Sequence, residues 1–130
     1  MQKLCVDTGV QEFALNQGVL RFNPSDPNLY GRFLQAVEEI GSLQQEISEK
    51  LKSTQDYREI FQVMMQADKT AKQALSHAFG PENQFDALLQ GVNLMAVAGN
   101  GERVVTNLFS ALEPLLEEGA KAFLEMKVDE

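Results

Sequence analysis

Leu29, Phe33, Val37, Ile40, Leu43, Ile47 and Leu51 recur every three or four residues, placing one apolar stripe along roughly seven turns of helix. A stripe of that length needs a long partner, and this commits the chain to helix-on-helix packing. Just ahead of it lies Asn23-Pro24-Ser25-Asp26-Pro27. Each proline disfavours helix for the residue before it, while Asp26 can cap free backbone N–H groups with Pro27 in the first helical position. The helix is therefore expected to begin at Pro27.

Ser53-Thr54-Gln55-Asp56 interrupts the pattern, and the spacing of Ser53 to Asp56 predicts a capping box for a second helix. Tyr57, Ile60, Phe61, Met64, Ala67, Ala71, Ala74, Leu75 and Ala78 continue at helical spacing until Gly80-Pro81. So short a connection makes the two helices an antiparallel pair. Beyond it, residues 83–90 suit a brief helix carrying Phe85, Leu88 and Leu89 and ended by Gly91. Val92 to Ala98 is apolar but too short to separate strand from buried helix. Gly99-Asn100-Gly101 marks a turn, and Val105, Leu108, Leu112, Leu115, Leu116, Ala120 and Phe123 outline a last helix that Pro114 should kink or divide.

The amino-terminal part follows a different period. Leu4 and Val6 alternate with Lys3, Cys5 and Asp7, Thr8-Gly9 is a turn signal, and Phe13 and Leu15 alternate with Glu12 and Ala14. These residues predict a β-hairpin turning at Thr8-Gly9, with Val19 to Phe22 left as a third strand or an extended lead into the helices. A hairpin alone is marginal in water, so its apolar face should pack on the helices. The expected fold is mainly α, with an N-terminal β-hairpin packed on an antiparallel helix pair plus C-terminal helices. It forms one domain over residues 1–130, with a hairpin region at 1–22 and a helical body at 27–126. At 130 residues the scaling of folded surface with mass gives roughly 6,900 Å², about a third of the extended chain.

Composition narrows the partners. Nineteen acidic and eleven basic residues leave a net charge of −8, which repels nucleic-acid phosphate and anionic lipid. No nucleic-acid or membrane partner is expected. The single cysteine, Cys5, permits no intramolecular disulfide, and no apolar run reaches signal or membrane-span length, so a cytoplasmic setting is expected.

Residues able to carry catalysis do not converge. His77 is the only histidine, and pairing it with Cys5 would leave no third group to orient the base. One Cys and one His are too few for a tetrahedral zinc site, so no metal is expected. Gly99-Asn100-Gly101 lacks the later glycine of a dinucleotide loop and carries Glu102 where phosphate would be repelled, so no cofactor is expected. Glu38-Glu39 and Glu117-Glu118 point about 100° apart on a helix and belong to wet faces. The chain is expected not to be an enzyme.

Met64, Met65 and Met95 carry flexible thioethers suited either to filling a core or to an adaptable partner groove, and they are the candidate partner-binding residues. Met65 falls about 100° beyond the Tyr57-Phe61-Met64 stripe, which favours exposure.

With Phe22-Asn23-Pro24-Ser25-Asp26-Pro27, Gly91-Val92-Asn93-Leu94-Met95-Ala96-Val97 and Asn100-Gly101-Glu102-Arg103-Val104 in view, the chain resembles the small tail assembly chaperones of siphophages and prophages of Gram-positive bacteria. The resemblance implies a non-enzymatic protein that coats the long tape measure protein and helps the tail tube polymerise around it. The tape measure protein, the tail tube protein and a second copy of the chain become expected partners, in the bacterial host cytoplasm. Members are often absent from the finished virion, and some families make a longer form by frameshifting. No catalytic motif comes with the resemblance; Phe22, Asn23, Pro24, Asp26 and Pro27 are a structural junction rather than a binding site. The alternatives are a structural virion component, such as a tail-completion or connector subunit, and an acidic inhibitor that mimics nucleic acid.

Overall fold

The computed structural model describes residues 1–126. In chain order these form strands β1 (Gln11–Leu15) and β2 (Gly18–Phe22) and helices α1 (Pro27–Ser53), α2 (Tyr57–Phe79), α3 (Phe85–Leu88) and α4 (Val104–Glu125). The fold is mainly α, with a two-stranded antiparallel hairpin ahead of a packed α1–α2 pair.

The hairpin is displaced from its expected place. β1 pairs with β2 from Gln11↔Phe22 to Leu15↔Gly18, and Thr8-Gly9 does not reverse the chain. Asn16 takes φ +54° in the tight turn, a conformation that Asn tolerates better than most residues. This register sets Phe13, Leu15, Leu20 and Phe22 on one face, an apolar payload that Leu4 and Val6 could not match. Val19 to Phe22 is thus the second strand, not a third, and residues 1–10 lie outside the sheet.

Aromatic rings tie the hairpin to all four helices. Phe13 stacks on Phe22 at 4.8 Å, Phe22 meets Phe79 of α2 edge-on at 5.0 Å, and Phe79 in turn meets Phe85 of α3 and Phe33 of α1. Phe33 contacts Phe109 of α4 at 5.8 Å. The outer edge of β2 is closed by a side chain: buried Asn83 accepts from the Arg21 N–H at 2.8 Å and donates to the Arg21 carbonyl at 2.7 Å, standing in for a neighbouring strand.

Asp26 caps α1 by accepting from the Asn28 N–H, with Pro27 in the first turn. Asp56, not Ser53, caps α2: its carboxylate accepts from the Arg58 N–H, whereas the Ser53 hydroxyl turns back to the Lys50 carbonyl. The chain from Val92 to Ala98 becomes neither strand nor helix, apart from a lone bridge between Val97 and Arg103. Its carbonyls serve α4 instead. Leu94 and Ala96 accept from the Val105 and Val104 N–H groups, which satisfies a helix start that has no side-chain cap. α4 runs through Pro114 undivided.

The junction is where the last helix meets the first. Asn23 gathers Thr8 and Ser25, and Asp26 donates its N–H to the Asn23 carbonyl. Pro24 lies against α4 at Gly119, where a Cβ would stand 1.9 Å from the Pro24 carbonyl oxygen. Only glycine permits that approach.

The chain exposes 9176 Å², well above the roughly 6,900 Å² expected for its mass. Two described features contribute to this excess: residues 1–10, exposed throughout, and the far half of the α1–α2 pair, which neither α3 nor α4 covers.

Candidate protein-binding face

α2 carries two apolar stripes. Ile60, Ala67, Ala71 and Ala78 turn towards α1 and are buried. Tyr57, Phe61 and Met65 recur every fourth residue on a second line, and they are 74%, 57% and 70% exposed. The Tyr57 and Phe61 rings stack at 6.4 Å, so the row presents a preformed aromatic surface ending in a thioether, about 12 Å long at 1.5 Å per residue.

The exposure follows from the length of α1 and α2 against the size of what covers them. In its second half α2 is sandwiched: Lys72, Leu75 and Phe79 are buried beneath α3 and the Val92–Leu94 turn. Over its first two turns, ahead of the Asn93 contact at Met64, the helix has α1 alone, and one helical neighbour covers one stripe. Tyr57 and Phe61, expected in the core seam, therefore face outward. Their four-residue spacing with Met65 is the signal in the sequence that separates the two lines, since a single seam cannot take both.

The three methionines do not share one surface. Met65 is exposed, Met64 is half-buried against the core, and Met95, expected in the same groove, is a core residue at 3% exposure. Met95 is held there by its backbone, accepting from Arg103 Nη1 and donating to Asn93 Oδ1. Asn93 also donates to the Met64 carbonyl, which fixes the turn at the edge of the exposed row.

A polar cluster that composition did not reveal closes the row's inner end. Lys72 Nζ donates to Asp68 Oδ2 at 2.8 Å, Asp86 Oδ1 at 2.7 Å and the Val92 carbonyl at 2.8 Å. Asp68 also accepts from the Leu94 N–H at 2.8 Å. All three ammonium protons have partners, so the cluster pins the turn and α3 to α2 rather than offering a free charge. At the opposite end Lys50 of α1 pairs with Glu59 of α2; that hydrogen bond and charge, with help from Thr54, hold the Glu59 carboxyl below its usual range.

Among the described residues, the histidine and the cysteine lie apart from this face and from each other. His77 is exposed near the end of α2 and Cys5 is exposed on the segment ahead of β1, with no hydrogen bond joining them. A cavity of about 630 Å³ is lined by His77 with Lys69, Lys72, Ser76 and Asp86 among others, and no hydrogen bond joins the Ser76 hydroxyl to the His77 ring. Among the described residues no group of three or more His, Cys, Asp and Glu could hold a metal ion, and no helix is long and apolar enough to cross a membrane. Compared with protein-family models, with curated proteins and with solved structures, the chain matches none.

Proposed function

We propose that the chain is a phage tail assembly chaperone that binds the tape measure protein and assists tail tube morphogenesis without catalysing a reaction. The observation that carries this reading is the exposed Tyr57-Phe61-Met65 row: three large apolar side chains in line on one helix, two of them stacked ring on ring. Such a row suits an amphipathic helix, which can lay its own four-residue apolar repeat alongside. The residues of the resemblance, from Phe22 to Pro27, from Gly91 to Val97 and from Asn100 to Val104, supply the assignment to tail assembly. The net charge of −8 would keep a complex with a long apolar partner dispersed.

The test is co-expression with a siphophage tape measure protein, the proposed partner. Soluble tape measure protein with the chain, and aggregated protein without it, is the expected result. Equal insolubility in both cases, together with stoichiometric recovery of the chain in purified tails, would instead make it a structural virion subunit.

A further inference from the structure

The two-stranded sheet is unfinished on one side. Both the N–H and the carbonyl of Arg21 turn outward to Asn83, so Glu12↔Arg21 is a pair without hydrogen bonds across the hairpin, and Ala14↔Val19, two residues on, is another. Glu12 and Ala14 accordingly aim their own N–H and carbonyl groups away from β2. Among the described residues nothing pairs with them. The same side is incompletely covered: Leu20 and Phe22 of β2 are buried, while Phe13 and Leu15 of β1 are only half-buried. An open edge of this kind accepts another strand.

The chain also carries a strand without a sheet. Residues 1–10 are exposed throughout, including Leu4 at 90% and Val6 at 80%. Their alternation with Lys3, Cys5 and Asp7 is a half-buried strand pattern with nothing to bury it. Its root is fixed. Asn23 Nδ2 donates to the Thr8 carbonyl at 2.8 Å, and Gly9, at φ +73°, sits so close to Asn23 that a Cβ would lie 2.7 Å from that nitrogen. Held there beside the end of β2, the segment makes no backbone hydrogen bond to β1.

We infer that residues 3–7 of one copy add to the free edge of β1 in a second copy. The apolar residues of the two pieces fall in register, while Asp7 comes opposite Glu12, whose carboxylate Arg21 pairs within the hairpin. With the strands antiparallel and Cys5 opposite Ala14, Leu4 falls beside Leu15 and Val6 beside Phe13, covering the two half-buried side chains of the inner face. Ala14 then exchanges both of its outward backbone groups with Cys5 across a hydrogen-bonded pair, and Cys5 shares the outer face with Ala14. Residues 4–7 then run along the strand from Leu15 back to Glu12, about 14 Å at 3.4 Å per residue, and Lys3 falls at the Asn16 turn. Each copy contributes one segment and one edge, so two copies can exchange segments in a closed dimer or add in line.

Cys5, the only cysteine, reads this contact directly. Residues in a hydrogen-bonded antiparallel pair lie about 5.5 Å apart at Cα, within disulfide reach. Ala14→Cys is exposed and should leave folding unchanged, as a circular dichroism melt will verify. Under mild oxidation it should yield dimers or a ladder on a non-reducing gel, joined between positions 5 and 14 by peptide mapping. Leu4→Asp/Val6→Asp in the same background should abolish them. Oxidation that consumes both thiols within a single copy would mean the segment folds on its own edge, and would overturn the inference. So would the absence of any cross-link, or undiminished cross-linking of Cys5→Ser/Ala14→Cys, in which edge meets edge.

Discussion

Replacing Lys72 by Met keeps most of the stem and removes the ammonium, which tests whether the cluster at the inner end of the exposed row fastens α2 to its cover. The side chain of Lys72 is 6% exposed and that of Asp68 15%, while Asp86 is 70% exposed. The loss is therefore unequal. Asp86 can turn into water at little cost, but Asp68 remains nearly buried with only the Leu94 N–H as a partner, and the Val92 carbonyl loses its donor. Breaking one side of a buried ion pair costs about 3–5 kcal/mol; with one of the two acids free to hydrate, the lower end applies, about 3 kcal/mol. An unfolding entropy of about 2.1 cal/mol/K per residue over this chain converts that to a fall in Tm of roughly 11 °C. Circular dichroism at 222 nm measures it, and 0.5 M salt should leave the fall largely intact because the pair is shielded from solvent. Adding Asp68→Asn removes the stranded charge while keeping an acceptor for Leu94, so the double variant should recover part of the loss. A single variant melting within about 2 °C of the parent would refute the reasoning, since that is the behaviour of an exposed pair.

Gly119→Ala should destabilise by about 2 kcal/mol despite the better helix propensity of Ala, because the new methyl meets the Pro24 carbonyl; a chemical denaturation series reads it. Asn83→Ala should cost about 3 kcal/mol by leaving both Arg21 backbone groups and the Phe79 carbonyl without their partner, and amide exchange should quicken first in β2. For Glu59 the folded-state carboxyl sits below its ordinary value of 4.5, so the Lys50 contact contributes fully above that pH and is lost as pH falls through the lowered value. Acid titration of Glu59→Gln should accordingly lack the small loss of stability that the parent shows below pH 4.5, and salt should shrink the difference.

The helical frame was legible because its signals are local. Asp26 with Pro27, the repeat from Leu29 to Leu51, and Gly80-Pro81 each act within a turn or two of where they stand. The hairpin was shifted because two turn signals compete along residues 8–17. Asn16 prevails through contacts remote in sequence, as its side chain donates to the Leu88 carbonyl and the neighbouring Gly18 lies against the Leu88 side chain. Val92 to Ala98 could not be assigned for a similar reason, since its backbone is completed by Asp68 and by the start of α4 rather than by itself. At the candidate face, the exposure of Met65 follows from its angle on the helix. The exposure of Tyr57 and Phe61 does not, because it depends on how far α3 and α4 reach. Met95 shows the converse: periodicity is silent in a turn, so only packing decides that it is core.

The most direct test of the proposed function is to substitute Met65→Glu and Phe61→Glu separately and measure both tape measure solubility on co-expression and the Tm of the purified chain. A charge placed on the exposed row is hydrated in the free protein and becomes buried without a partner only in the complex. The account predicts that each variant loses the rescue, persisting in the parent at high salt, while melting within about 2 °C of the parent. Undiminished rescue by both variants, at unchanged stability, would contradict it.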